Sequence, residues 1–228
     1  MNTICVIPAR GGSRRIPHKN IIDLCGKPMI VWTIEAAIQS QVFDKIYVST
    51  DDPMIADVCK DHPVDVLMRN GYSDDFTTVQ IATIRTLQQI QSERGESYNT
   101  VVQLMATCPL RTFTDISMAY NNYLSTDSKF QLSACEYDFL NPWWALKLNK
   151  YGLPKPLFPR EIKMRSQDLP KLYCPVGSIW IADIFELLKQ GTFYGADYDI
   201  YPIDYEHAID IDTFKDLELA RKLMEGKC

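Results

Sequence analysis

The chain has no apolar run near the ~18 residues that a membrane-spanning helix requires. Residues 1–8, MNTICVIP, carry neither a basic opening nor an A-x-A site, so no signal peptide is expected. Cysteines are present without a pattern. The seven, at 5, 25, 59, 108, 135, 174 and 228, never form C-x-x-C, which argues against zinc or disulfide scaffolds and for free thiols in a reducing cytoplasm. Histidine is scarce: His18, His62 and His207 have no carboxylate partner that the sequence reveals, which disfavours a Ser-His-Asp centre. Positive charge is in deficit. A net charge of −5 argues against a sequence-independent grip on DNA or RNA. Internal repeats and low-complexity tracts are absent from the sequence.

Against that deficit, the stretch IPARGGSRRIPHKN (7–20) crowds Arg10, Arg14, Arg15 and Lys19 together. It follows TICVIP (3–8), a continuous apolar run that suits a buried strand of a parallel sheet. Loops at the carboxyl edge of such a sheet bind ligands. Gly11 and Gly12 let the backbone approach an anion, and their amides with that of Ser13 are suited to a phosphate nest. Arg10 can fork onto phosphate oxygens, and Lys19 adds a point charge. The spacing fits neither G-x-x-x-x-G-K-[ST] nor G-x-G-x-x-G, which weighs against ATPase and dehydrogenase readings. A small anion is the expected ligand.

Strand-like and helix-like segments then alternate with short links: a helix to about 39, a strand over 45–50, and a helix capped by Asp52 with Pro53 behind it. A strand at 64–69, helix at 77–93, strand at 99–105, helix at 113–125 and strand at 130–137 follow. The alternation predicts an α/β fold with a doubly wound, mostly parallel sheet. A length of 228 residues, 46% of them apolar, fits one such domain with a small appendage. The pattern breaks over 139–176, which holds six prolines and no clean period. This segment reads as an inserted excursion or hairpin arm between the two parts of the α/β domain, 1–138 and 177–228. Its aromatic residues Phe139, Trp143, Trp144 and Phe158 need cover, either from a second subunit or as a lid on their own domain.

Near the end, AIDIDT (208–213) sets Asp210 and Asp212 two apart, hence on one face if extended. Two like charges so placed suit a magnesium ion that also takes substrate phosphates and water. Asp212 or Thr213 also suits the cap of the helix expected from about 213. In VSTDDP, capping accounts for Asp52 better than a metal does.

IPARGGSRRIPHKN, GKPMIVWTIEAA, DKIYVSTDD, CPLRT (108–112), RSQDLP (165–170) and AIDIDT, in that order, resemble the acylneuraminate cytidylyltransferases over essentially the whole chain. The resemblance implies activation of a nine-carbon keto-sugar acid by CTP, with release of pyrophosphate. It further implies Mg2+, an α/β nucleotide domain and a homodimer joined by an arm. Carried over, Arg10, Ser13, Lys19 and Asn20 hold triphosphate and ribose, while the backbone at Pro8 and Ala9, with Arg69 and Thr78, reads cytosine. Asp210 and Asp212 become metal ligands, and Arg10 and Lys19 offset charge on the leaving pyrophosphate. The proton of the attacking hydroxyl goes to a metal-bound hydroxide or to one of the two aspartates.

At the sugar end the chain departs from the family. MATCPLR puts Met105 where QPTSPLR has glutamine, Trp144 falls on a usual lysine, and CPVGSIWI has Cys174 and Val176 where RPNGAIYI has arginine and asparagine. Arg165 is kept and is suited to the sugar carboxylate across a dimer interface, with Gln167 assisting. A drier pocket predicts a less hydroxylated sugar, such as the 9-deoxy legionaminic and pseudaminic acids. An eight-carbon keto acid is a second substrate reading. A nucleotide-binding regulatory module is the non-enzyme one, disfavoured by retention of Arg10, Lys19, Asp210 and Asp212.

Overall fold

The computed structural model describes residues 2–69, 78–138 and 140–225; Thr77, Phe139 and Cys228 lie outside them. The chain opens with β1 (Thr3–Pro8), a small hairpin of β2 (Asp23–Leu24) and β3 (Lys27–Pro28), and helix α1 (Met29–Ser40). Then come β4 (Lys45–Thr50), α2 (Pro53–Cys59), β5 (Asp65–Met68), α3 (Val79–Arg94) and β6 (Thr100–Gln103). Helix α4 (Phe113–Ser125) and β7 (Phe130–Glu136) lead to an arm hairpin, β8 (Leu146–Leu148) and β9 (Pro154–Pro156). The chain returns through β10 (Tyr173–Asp183), α5 (Ile184–Gln190), β11 (Asp199–Pro202) and α6 (Phe214–Leu223).

Seven strands form one sheet in the order β11-β7-β10-β6-β1-β4-β5. β1 pairs in parallel with β4 and β6, β4 with β5, and β11 with β7; β10 runs antiparallel to both its neighbours. The sheet is thus mostly parallel, as expected. β1 shows why it lies at the centre: Cys5 and Ile7 enter one core and Ile4 and Val6 the other. A strand apolar on both faces needs helices on both sides. Ile30 and Ile34 of α1, Ile55 of α2 and Ile116 of α4 cover one face; Leu87 and Ile90 of α3 and Leu187 of α5 cover the other. Caps stop the helices where turn residues allow. Asp52 accepts from the Met54 amide at 2.8 Å, and Gly95 ends α3 at φ 66°. Thr213, not Asp212, caps α6, in a reciprocal box with Asp216.

In the arm, every residue of β8 and β9 is exposed. Trp143 and Phe158 cover each other edge to face at 4.8 Å, and the Trp143 indole donates to the Pro170 carbonyl at 2.9 Å. These two aromatic rings therefore find cover inside the arm, without a second subunit. Leu140, Leu148, Tyr151 and Leu153 remain at least 60% exposed. The expected arm boundary at 176 falls inside β10, because Tyr173–Pro175 already pair with β7. Cys5, Cys59, Cys108, Cys135 and Cys174 are free thiols, but Cys25, half-buried at the β2–β3 turn, is disulfide-bonded. That corrects the expectation of free thiols throughout. No helix among the described residues is long and apolar enough to cross a membrane.

The amino edge of the sheet is tied by a charged network. Glu96 accepts from Lys45 at 2.9 Å and from the Tyr47 and Tyr98 hydroxyls at 2.7 Å each, and Arg94 pairs with Asp65 at 2.6 Å. Lys45 foremost, then the two tyrosines, pull the Glu96 carboxyl down to about 2. An unfolded glutamate titrates near ~4.3, so the folded pKa is the lower one. The stabilisation is complete above that unfolded value and is lost as pH falls toward 2. Glu96→Gln should therefore narrow the gap to wild type in urea unfolding only below about pH 4.5, with the full difference kept at neutral pH.

Candidate active site

The parallel strands deliver their carboxyl ends to the opposite edge, and antiparallel β10 brings its amino end to the same place. The cationic loop leaves β1 there. Its first amide, Ala9, donates to the Ser49 carbonyl at 2.9 Å, which continues the β1–β4 ladder. Ile16 is the only buried residue between Arg10 and Lys19. It packs in a third apolar cluster with Leu24, Met29, Ile209, Ile211 and Leu217. In AIDIDT the isoleucines point into this cluster and the aspartates point away. One small core thus fastens the basic loop to the acidic segment. His18 takes a left-handed conformation (φ 51°), and the following 3-10 turn turns Lys19 and Asn20 back toward the sheet. The Asn20 amide then donates to the Arg10 carbonyl at 2.9 Å.

The result is a cavity of about 240 Å³ lined by Pro8, Arg10, Lys19, Asn20, Arg69, Val79, Ala82, Met105, Ala106, Thr107 and Asp212. Lys19 and Asp212, 193 residues apart, meet at 2.8 Å between Nζ and Oδ1. Arg15 holds the other oxygen, Nη2 to Oδ2, at 2.8 Å. Burial alone would raise Asp212, but Lys19 and Arg15 outweigh it and hold the carboxyl below its usual value. Asp210 is exposed and is not among the residues that line the cavity, yet the protein crowded around it raises its pKa, and the charge of Asp212 adds to this. Among the described residues no cluster of three His, Cys, Asp or Glu forms a ready metal cage. Two carboxylates beside a cationic cavity suit a magnesium ion that takes its other ligands from phosphate and water.

The remaining expected residues divide. Arg69 faces the cavity, anchored by Nε to the Ser49 hydroxyl at 2.9 Å and by Nη2 to the Ser49 carbonyl at 2.6 Å. Burial pushes its pKa down. Thr78 is an exposed helix cap for α3, while Val79 beside it reaches the wall. Gly11, Gly12 and Ser13 lie outside the wall, and two of the three expected nest amides are engaged in the protein. Gly11 donates to Asp51 Oδ1 and Ser13 to the Gly11 carbonyl, each at 2.9 Å. Asp51 is thereby a strut for the loop. Trp144, Arg165 and Gln167 are exposed on the arm, and Arg165 is paired with Asp168 at 2.8 Å.

Two contributors went unassigned in the sequence. Arg15 was counted in the cationic loop but given no role. Arg111, inside CPLRT, is fully buried without a carboxylate: Nη1 donates to the Ser178 carbonyl at 2.7 Å, while Nε and Nη2 have no partner. It ties the loop after β6 to β10, and burial lowers its pKa. Beside it, Met105 lies so close to Gly177 that a Cβ there would fall 1.9 Å from its sulfur. A second hollow, of about 400 Å³, opens next along this edge. Its largely apolar wall includes Cys135, Tyr137, Leu140, Cys174, Val176 and Ala208.

Gly11 supports a test of the loop. A Cβ there would lie 2.7 Å from Cβ of Asp52, the cap of α2, whereas at Gly12 nothing lies within 4 Å. Gly11→Ala should cost about 1 kcal/mol of stability, the size of a lost cap, and weaken CTP binding several-fold. Gly12→Ala should leave thermal unfolding unchanged. Unfolding curves and CTP titrations of both variants check this.

Residues 4–142 match the family model described as cytidylyltransferase. The chain is 33% identical to a pseudaminic acid cytidylyltransferase of Campylobacter jejuni, over 98% of this chain and 96% of that one. It is equally 33% identical to the CMP-N,N'-diacetyllegionaminic acid synthase of Legionella pneumophila, over 99% and 97%. An N-acylneuraminate cytidylyltransferase of Streptococcus agalactiae is 34% identical over 95% of this chain and 52% of its own. In fold, the structure is similar to a CMP:2-keto-3-deoxy-manno-octonic acid synthetase complexed with CTP, at a TM-score of 0.75 and 17% identity over the whole of both chains. The chain belongs to the cytidylyltransferase family.

Proposed function

We propose that this protein transfers the cytidylyl group of CTP to a nonulosonic acid, releasing pyrophosphate. The observation that carries the reading is the convergence of Lys19 and Asp212 on one cavity wall with Arg10, Asn20 and Arg69. Cations for a triphosphate and carboxylates for its counter-ion belong together in nucleotidyl transfer. Arg10 and Lys19 hold the triphosphate and neutralise charge on the leaving pyrophosphate. Arg69 and the Pro8 carbonyl face the base, and Arg69 is pre-set by its two bonds to Ser49. Asp210 and Asp212 would hold a magnesium ion, which when bound polarises the phosphate oxygens. The sugar's anomeric hydroxyl attacks the α-phosphorus, with the apolar hollow beside Asp210 receiving the body of the sugar. Since CTP is a cytoplasmic metabolite, the protein acts there.

The apolar wall favours a 9-deoxy sugar. Cys174, Val176 and Ala208 offer few partners for a hydroxyl, although Glu136, Tyr137, Asp138 and Tyr205 share the wall, so the preference for a 9-deoxy sugar is modest, about 10²-fold at most. The pseudaminic and legionaminic names of two relatives support the same class. A second subunit supplies what one copy lacks. Arg165 and Gln167 sit on the arm rather than in the cavity, and the arm's exposed Leu140, Leu148 and Leu153 give a homodimer its apolar contact.

Pyrophosphate release from CTP and Mg2+ should show the highest kcat/KM with pseudaminate or N,N'-diacetyllegionaminate. Preference for N-acetylneuraminate over both would overturn the dry-pocket assignment, and preference for an eight-carbon acid would overturn the nine-carbon one. CTP binding without release from any acid would favour the regulatory module. Arg165→Ala should raise the sugar KM at least ten-fold with little change in the CTP KM. Equal effects on both would remove Arg165 from the sugar.

A further inference from the structure

Both oxygens of Asp212 are taken by cations, Lys19 on Oδ1 and Arg15 on Oδ2, each at 2.8 Å. An exposed ion pair on two mobile side chains contributes little. Here the backbone is fixed at both ends. Arg15 precedes Ile16 and Asp212 follows Ile211, and these two isoleucines, each 0% exposed, belong to one apolar cluster. The Arg15 side chain itself is 62% exposed and lines no wall of the nucleotide cavity. Among the described residues, Asp212 is the contact that fixes its position.

This arrangement opposes a bare divalent ion. Such an ion would meet Arg10, Lys19 and Arg69 around the cavity and would have to displace two cations from Asp212. No third His, Cys, Asp or Glu completes a cluster among the described residues to compensate. A triphosphate acts in the opposite sense. Its oxygens compete for the ammonium and guanidinium groups and bring ligands for the metal.

We propose that Arg15 and Lys19 form a cationic clamp that keeps divalent metal off Asp212 until a nucleoside triphosphate draws both cations away. Arg15 is then a positioning residue for ordered loading, and metal and nucleotide bind with positive coupling, equal in both directions. The inference rests on the magnesium and CTP assignments above.

The test is Mn2+ binding to the 228-residue chain, followed by electron paramagnetic resonance without nucleotide and with saturating CTP, no sugar acid present. Wild type should bind Mn2+ at least ten-fold more weakly without CTP. Arg15→Ala should tighten nucleotide-free Mn2+ binding three-fold or more and weaken metal-free CTP binding, and Arg15→Lys should restore both toward wild type. Unchanged nucleotide-free Mn2+ affinity in Arg15→Ala, while Asp212→Asn loses the CTP-dependent ion, would overturn the clamp and leave the metal assignment standing. Retention of the CTP-dependent ion by Asp212→Asn would overturn the metal assignment itself, and the clamp with it.

Discussion

The contact on which the rest depends is apolar. Ile16 sits against Ile209 and Ile211 in a cluster apart from the two main cores. Each fully buried isoleucine contributes roughly 1.5–3 kcal/mol, more than an exposed ion pair can. That is enough to hold a loop rich in like charges beside the segment carrying Asp210 and Asp212. Lys19 and Asp212 attract each other, but attraction across solvent does not fix a geometry. The isoleucines fix it, and the charges act on a frame already set.

The same logic runs through the other polar elements. Arg69 is held by Ser49, whose hydroxyl also accepts from Thr86 Oγ1 at 2.7 Å, so a base-facing guanidinium is anchored in the sheet and in α3. Arg111 carries its charge into the interior and finds carbonyls in place of a carboxylate. Replacing Arg111 by an apolar side chain would leave the buried Ser178 carbonyl without this donor, at a cost of about 1–3 kcal/mol. Its value lies in joining the Met105 loop to Ser178, on the side where the wall turns from polar to apolar.

The sequence reading met the structure most closely where one periodicity decides the matter. TICVIP, KIYVST and NTVVQLM are short runs apolar on both faces, and β1, β4 and β6 all lie inside the sheet, none at an edge. The capping of α2 by Asp52 followed from Pro53 behind it. Pairing was not legible: nothing within GSIWIAD says that β10 runs against its neighbours, because direction is set by the connection before it. The β2–β3 hairpin, two residues on each side, was too short for any alternation to register. In the site, the chemistry of IPARGGSRRIPHKN was visible, but the work of Gly11, whose amide is spent on Asp51, was not. Gly11 is small because Asp52 packs against it, a long-range contact with no local signature. The meeting of Lys19 with Asp212 spans nearly the whole chain, so only the family resemblance suggested it. Arg15 had no signal beyond being one arginine among several.

β10 has a double allegiance. Its final residues lie between two strands, Trp180–Asp183 registered against β6 and Trp180–Ala182 against β7, while Tyr173–Pro175 pair with β7 at the root of the arm, across a register shift. The arm therefore inherits its heading from the twist of the sheet, as a lever inherits its angle from the wall it is bolted to. A change at the irregular stretch from Pro175 to Trp180 re-aims the arm while leaving the helices on both faces in place. Evolution within such a scaffold can retune where the arm reaches without disturbing the strands that hold the nucleotide cavity.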